Sequence, residues 1–297
     1  MSGKWKNYQI LGRDFLERGD RKRALKSLEK SMIFAPDDKA LAETLFSVAD
    51  LYWQAGNEDR AIAFFREITK LGDYPGAHYG MGVLYSEKGE IRRAISCFQK
   101  AVASYPFYES AYYEMALLYD RLGYKDVALE LFYQCATLVP ENGIVRSDIA
   151  SIYEERGAYK KALGYAKRAV ELSPTYARGY YNLGVIYQKT GRDKKAMTAY
   201  RDALDLDPDY APTYLNMSAI FLKNERPTDA VYILTRGIRR NLHSVNLYYN
   251  RACSFMRLGK RTTALADLKR AIAIDGDARM WASRDEDLQD IVREVDS

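Results

Sequence analysis

Tyr180-Tyr181-Asn182-Leu183-Gly184-Val185-Ile186-Tyr187 is followed by Gly191, Ala196, Tyr200, Ala203 and Pro208, and this order of residue types recurs along most of the 297-residue chain. The alanine column makes the recurrence plain: Ala24, Ala61, Ala94, Ala128, Ala162, Ala196, Ala230 and Ala264, with successive spacings of 37, 33 and then 34 residues. Nine residues before each stands an aromatic: Phe15, Tyr52, Tyr85, Tyr119, Tyr153, Tyr187, Phe221 and Phe255. Twelve before it is a small residue: Gly12, Ala49, Gly82, Ala116, Ala150, Gly184, Ser218 and Ala252. Five before it stand Gly19, Gly56, Gly89, Gly123, Gly157, Gly191 and Gly259, with Glu225 as the exception.

Each column has a physical reason. A small residue lets two helices approach closely, and an aromatic three residues later falls on the same helical face and fills the space beside that contact. Glycine ends the first helix because it enters the left-handed conformation at no steric cost. The alanine permits close packing from the second helix. Pro36, Pro106, Pro140, Pro174 and Pro208 then stop that helix, since proline lacks an N–H and disfavours a helical predecessor. The unit is helix–turn–helix, and neighbouring units share a core.

The small–aromatic–Gly–Ala–Pro pattern resembles the tetratricopeptide repeat (TPR). The resemblance implies an all-α, right-handed superhelical solenoid of about eight helix–turn–helix units, whose first helices line a groove that usually holds a partner peptide. The array spans 5–278, with units near 5–38, 42–74, 75–108, 109–142, 143–176, 177–210, 211–244 and 245–278. Three residues around Lys39 to Leu41 are extra and predict a lengthened helix or a shifted start. The second, seventh and eighth units carry Asp73, Leu242 and Gly276 where the closing proline falls. Pro227 sits where a helix begins, a position proline tolerates. Beyond the array, Ser283-Arg284-Asp285-Glu286 reads as a capping box, and Leu288, Ile291, Val292 and Val295 recur at helical spacing. This predicts a C-terminal capping helix over 279–297 that covers the end of the stack.

Residues six and thirteen places into a unit are two turns apart and share one face of the first helix. The sixth place holds Ile10, Ser47, Gly80, Glu114, Asp148, Asn182, Asn216 and Asn250; the thirteenth holds Glu17, Gln54, Glu87, Arg121, Glu155, Lys189, Lys223 and Arg257. The last three units thus carry asparagines beside bases, and the middle units carry acids, joined by Asp120 and Glu154. An amide both donates and accepts, so a row of them pairs with an extended peptide backbone whatever its side chains. This is similar to the asparagine ladder of TPR arrays in glycosyltransferases that hold protein substrates. The other reading is that the asparagines only bridge neighbouring helices. Lys189, Lys223 and Arg257 favour acidic side chains or a C-terminal carboxylate, and Arg178, Tyr181 and Tyr249 add contacts. The carboxylate clamp of chaperone-binding TPR domains is not matched: its positions hold Gln9 and Arg13 in the first unit and Tyr181 and Val185 in the sixth.

The remaining chemistry is sparse. The two histidines, His78 and His243, belong to distant units; His78 is expected to be packed beside Tyr79 and His243 to lie in a loop. No HExxH, CxxC, phosphate-binding loop or nucleophile elbow occurs, and Gly80-Met81-Gly82 follows no strand. No catalytic residue, metal or cofactor is expected. Cys97, Cys135 and Cys253 are widely spaced and odd in number, which fits buried thiols in a reducing compartment. A net charge of +5, with acids and bases mixed, does not call for nucleic acid or lipid. No apolar run reaches the roughly 18 residues of a membrane span, and the N-terminus lacks an apolar signal core. The sequence therefore predicts a cytoplasmic, non-enzymatic scaffold that binds a protein or peptide, acidic or extended. Tyrosine pairs beside bases leave a helical-repeat RNA binder as the alternative, against which the acidic middle of the groove counts.

Overall fold

The computed structural model describes residues 2–296, with side chains described from residue 3 to residue 295. Among the described residues there are helices and turns and no strand. The chain divides into two compact units, residues 1–140 and 141–297. The first holds α1 (Ser2–Glu17), α2 (Arg21–Ile33), α3 (Asp38–Gln54), α4 (Glu58–Leu71), α5 (Pro75–Glu87), α6 (Ile91–Ser104), α7 (Glu109–Arg121) and α8 (Lys125–Leu138). The second holds α9 (Gly143–Glu155), α10 (Tyr159–Leu172), α11 (Ala177–Lys189), α12 (Asp193–Leu206), α13 (Ala211–Lys223), α14 (Pro227–Arg240), α15 (Val245–Arg257), α16 (Arg261–Ile274) and the short α17 (Asp277–Ala282). Odd-numbered helices up to α15 are the first of each pair and even-numbered ones the second.

Within each unit the packing repeats. Each first helix packs on its own second helix, and, where a pair precedes it in the same unit, on the second helix of that pair, as α5 does on α4 and α11 on α10. In the second unit consecutive first helices also touch, α9 with α11 and α13 with α15. The small column works as the spacing predicts. A Cβ on Gly82 would come within 2.5 Å of the Phe98 ring, and one on Gly184 within 2.5 Å of the Tyr200 ring. All eight alanines of the defining column are fully buried.

The glycine column has its reason in backbone geometry. All seven glycines that follow first helices have φ between +69° and +84°, and Glu225, in the eighth place, is forced to +56°. The extra residues near Lys39 lengthen α3, which has 17 residues where α5 has 13. Asp37 caps it by accepting from the Ala40 N–H at 2.8 Å. Pro227 stands at the first position of α14.

The C-terminal expectation needs correction. The segment after the array is not one helix: α17 ends at Ala282, turns follow, and a 3-10 helix closes the chain over Val292–Asp296. Ser283 hydrogen-bonds back to the Met280 carbonyl rather than opening a helix, and Asp285 caps its own turn by accepting from the Asp287 N–H at 2.9 Å. The apolar residues do their covering work regardless. Leu288 and Ile291 are fully buried and Val292 nearly so, packed with Ala252, Cys253 and Leu268 of the last pair. Burial of the apolar set fixes the segment, and turn geometry reaches it as well as a helix does.

No helix among the described residues is long and apolar enough to cross a membrane.

Candidate peptide-binding face

The first helices of the second unit present the predicted rows, and the structure gives each member a definite environment. Asn182, on α11, is buried, and its amide nitrogen donates to the Ser147 Oγ at 2.9 Å on α9. Asn216, on α13, donates to the Tyr181 hydroxyl at 3.2 Å on α11. Asn250, on α15, donates to the Asn246 carbonyl at 2.8 Å one turn back in its own helix. Two of the three amides therefore tie one first helix to the one before it. Each uses its N–H₂ group, and each Oδ1 accepts no hydrogen bond from the described residues.

The basic row is divided in the same way. Lys189 is exposed and makes no ion pair among the described residues. Lys223 pairs with Asp193 at 3.0 Å, and Arg257 with Asp287 of the C-terminal segment at 2.9 Å. Exposed pairs of this kind are worth about 0–1 kcal/mol, so a competing carboxylate exchanges with them readily. Arg178 hydrogen-bonds the Tyr176 hydroxyl. Tyr181 stacks edge-on to Tyr210 with ring centroids 5.0 Å apart, and burial pushes its hydroxyl up. Tyr249 is turned toward the C-terminal segment, where it donates to Asp285 Oδ2 at 2.9 Å and packs against Trp281. The rows thus share one face, but Tyr249 and Arg257 are engaged there by the chain itself.

His78 is packed as expected but is not satisfied. Its Nδ1 is buried without a hydrogen-bond partner among the described residues, and burial, then Lys100, holds the ring below the usual imidazole range. His243 is exposed in the turn before α15. Burial pushes the Cys135 thiol up to about 12 and also raises Cys97 and Cys253, which makes them poor nucleophiles. One group of three potential metal ligands, Cys253, Asp285 and Asp287, lies among the described residues with donor atoms within 4.8 Å. Its carboxylates already serve Tyr249 and Arg257.

Two features escaped the sequence reading. In five repeats a base eight residues after the column aromatic lies over its ring: Arg23 on Phe15, Arg60 on Tyr52, Arg93 on Tyr85, Lys161 on Tyr153 and Lys195 on Tyr187, at 5.2–5.8 Å. The fixed interval of eight was the available signal. The other is Arg251 of α15, which occupies a place held by aliphatic residues in the other repeats. It makes a two-pronged pair with Asp267 at 2.7 Å and reaches Thr235 at 3.0 Å.

The repeat geometry and its columns agree with comparison to known families. Tetratricopeptide repeat profiles match residues 11–78, 79–143, 177–210 and 245–277, and a further TPR profile matches 150–191. The chain belongs to the tetratricopeptide repeat family. Among solved structures, pilF of Pseudomonas aeruginosa is 16% identical with a TM-score of 0.61, over 74% of this chain and 97% of its own. PilW, a type IV pilus biogenesis factor, is 18% identical with a TM-score of 0.62, over 73% of this chain and 98% of its own. A structure of the APC/C hetero-tetramer Cut9–Hcn1 reaches a TM-score of 0.64 at 15% identity, over 93% of this chain and 52% of that one. At these identities the likeness is one of TPR fold alone. No curated protein matches the chain.

Proposed function

We propose that this TPR protein is a non-enzymatic scaffold that holds an extended, acidic segment of a partner protein on the first-helix face of α11, α13 and α15. The observation that carries the reading is the polar row at 34-residue steps. Among the described residues, Asn182, Asn216 and Asn250 keep an amide oxygen without a donor, and Lys189, two turns beyond Asn182, makes no ion pair. Amide oxygens in step accept backbone N–H groups of a peptide, while Lys189 and Lys223 select its charge. Because the amide nitrogens of Asn182 and Asn216 are spent between helices, the row acts as a set of acceptors rather than as two-sided hooks.

The test is fluorescence anisotropy of the whole chain with two fluorescein-labelled probes, (Glu-Gly)5 and (Ser-Gly)5. The acidic probe is expected to bind more tightly, and Lys189→Gln with Lys223→Gln to weaken it about tenfold, as two exposed charge contacts would. Changing the three asparagines to alanine is expected to weaken both probes while the circular dichroism stays helical. Equal affinity for both probes, or no response to the lysine changes, would sink the reading. Tighter binding of mixed-sequence RNA than of (Glu-Gly)5 at physiological salt would replace it with an RNA-binding one.

A further inference from the structure

Charge is sorted by helix in the first unit. The first helices α3, α5 and α7 hold seven acids and two bases, whereas the second helices α4, α6 and α8 hold five acids and seven bases. On α3, Glu43 and Asp50 are exposed and lie seven residues apart, on one face, with the Trp53 indole a further turn along. Trp53 Nε1 donates to Glu87 Oε2 of α5 at 3.2 Å, which links the two helices across that face. Tyr79 of α5 stacks on Tyr108, and Glu114 of α7 lies close enough to raise its hydroxyl further. None of Glu43, Asp50, Glu87 and Glu114 forms an ion pair among the described residues. Elsewhere on the surface, acids such as Asp59, Glu67 and Glu90 have found cations.

We infer that the first-helix face of the first unit, formed by α3, α5 and α7, is a docking surface for a basic, extended peptide segment of a partner protein. Glu43, Asp50 and Glu87 on α3 and α5 have no ion pair among the described residues, Glu114 on α7 has only the charge of Arg121 two turns along, and aromatic rings lie between them. Carboxylates supply ion pairs and directed acceptors for Lys and Arg, and the Trp53 and Tyr79 ring faces attract the same cations through their quadrupoles. No three of these acids come close enough together to chelate an ion, so a chain bearing several cations fits the spacing and a single metal does not. Partial burial also holds the Asp50 and Glu114 carboxyls above their usual range, and Arg121 only partly offsets this at Glu114. The surface is separate from the acceptor row of the second unit and opposite to it in charge preference.

The experiment uses the full chain and fluorescein-labelled (Arg-Gly)5 at low and physiological salt. The peptide is expected to bind, to weaken at least tenfold in the Glu43→Gln, Asp50→Asn, Glu114→Gln variant, and to be unaffected by Lys189→Gln with Lys223→Gln. Binding is expected to shift tryptophan emission, and Trp53→Phe to remove that shift while leaving Trp5 and Trp281 in place. Failure of (Arg-Gly)5 to bind, equal binding by the amide variant, or an emission shift that survives Trp53→Phe would each overturn the assignment. Since (Glu-Gly)5 reports on the second unit, either surface can fail without the other.

Discussion

At the scale of single residues, two positions show where the repeat constrains the side chain. Glu225 adopts φ +56° at a place where seven repeats have glycine. A side chain there costs on the order of 1 kcal/mol, so Glu225→Gly is expected to raise the stability of the second unit by about that amount in urea titration. Gly184 is the reverse case. Alanine is the better helix former by about 1 kcal/mol, yet its Cβ would meet the Tyr200 ring at 2.5 Å. Overpacking of about 1–3 kcal/mol wins, and Gly184→Ala is expected to lower the melting temperature. Glu114 gives a pH-dependent case. Its carboxyl is raised by burial, so ionisation opposes folding: the cost is absent below the unfolded value and complete above the folded one. Glu114→Gln should therefore match the parent chain near pH 4 and melt higher at pH 7, measured by scanning calorimetry; an unchanged difference between the two would contradict the assignment. The same substitution weakens the basic-peptide surface, so stability and binding pull in opposite directions at this residue.

At the scale of elements, the last pair of helices carries a two-pronged ion pair in its core. Arg251 and Asp267 have side chains 17% and 9% exposed, and the guanidinium also lies against the Tyr248 and Phe255 rings. Removing one partner strands the other, so Asp267→Ala is expected to cost about 3 kcal/mol, whereas Arg251→Met with Asp267→Leu is close to neutral. Equal effects of the two variants in denaturant titration would argue against a desolvated pair. Leu288 and Ile291 likewise lock the C-terminal segment onto α15 and α16, and Leu288→Ala is expected to cost about 2–5 kcal/mol. These elements also show what the sequence made legible. Helix pairs were readable because Gly, Ala and aromatic columns answer to local sterics that repeat every 34 residues. The 283–291 segment reads as helix in the sequence because its apolar spacing is compatible with α geometry, while the bond from Tyr249 to Asp285 that helps to hold it as turns is tertiary. The engagement of Asn182 with Ser147 was equally hidden, since one residue type serves both a ligand and a neighbouring helix.

At the scale of the whole molecule, the charge is unevenly shared. Residues 1–140 hold 19 Lys and Arg against 19 Asp and Glu, so the entire net charge of +5 resides in residues 141–297. The two proposed docking faces differ in the same sense, one acid-rich on α3, α5 and α7 and one with Lys189 of α11 outside any ion pair among the described residues. Added salt is expected to weaken (Arg-Gly)5 and (Glu-Gly)5 binding alike, because both rest on surface charges within a screening length of about 8–10 Å. A probe insensitive to salt would point to apolar capture instead. Repeat arrays open locally as well as globally, so stability need not be shared evenly between the two compact units.

The buried thiols turn that last property into something measurable. Cys97 and Cys135 lie in the first unit and Cys253 in the second, all shielded by their surroundings and held in the unreactive protonated form. Each becomes labelled only when its own neighbourhood breathes. The native chain therefore contains three internal clocks, and the rates at which a maleimide reaches them would time the opening of each region without a single introduced mutation.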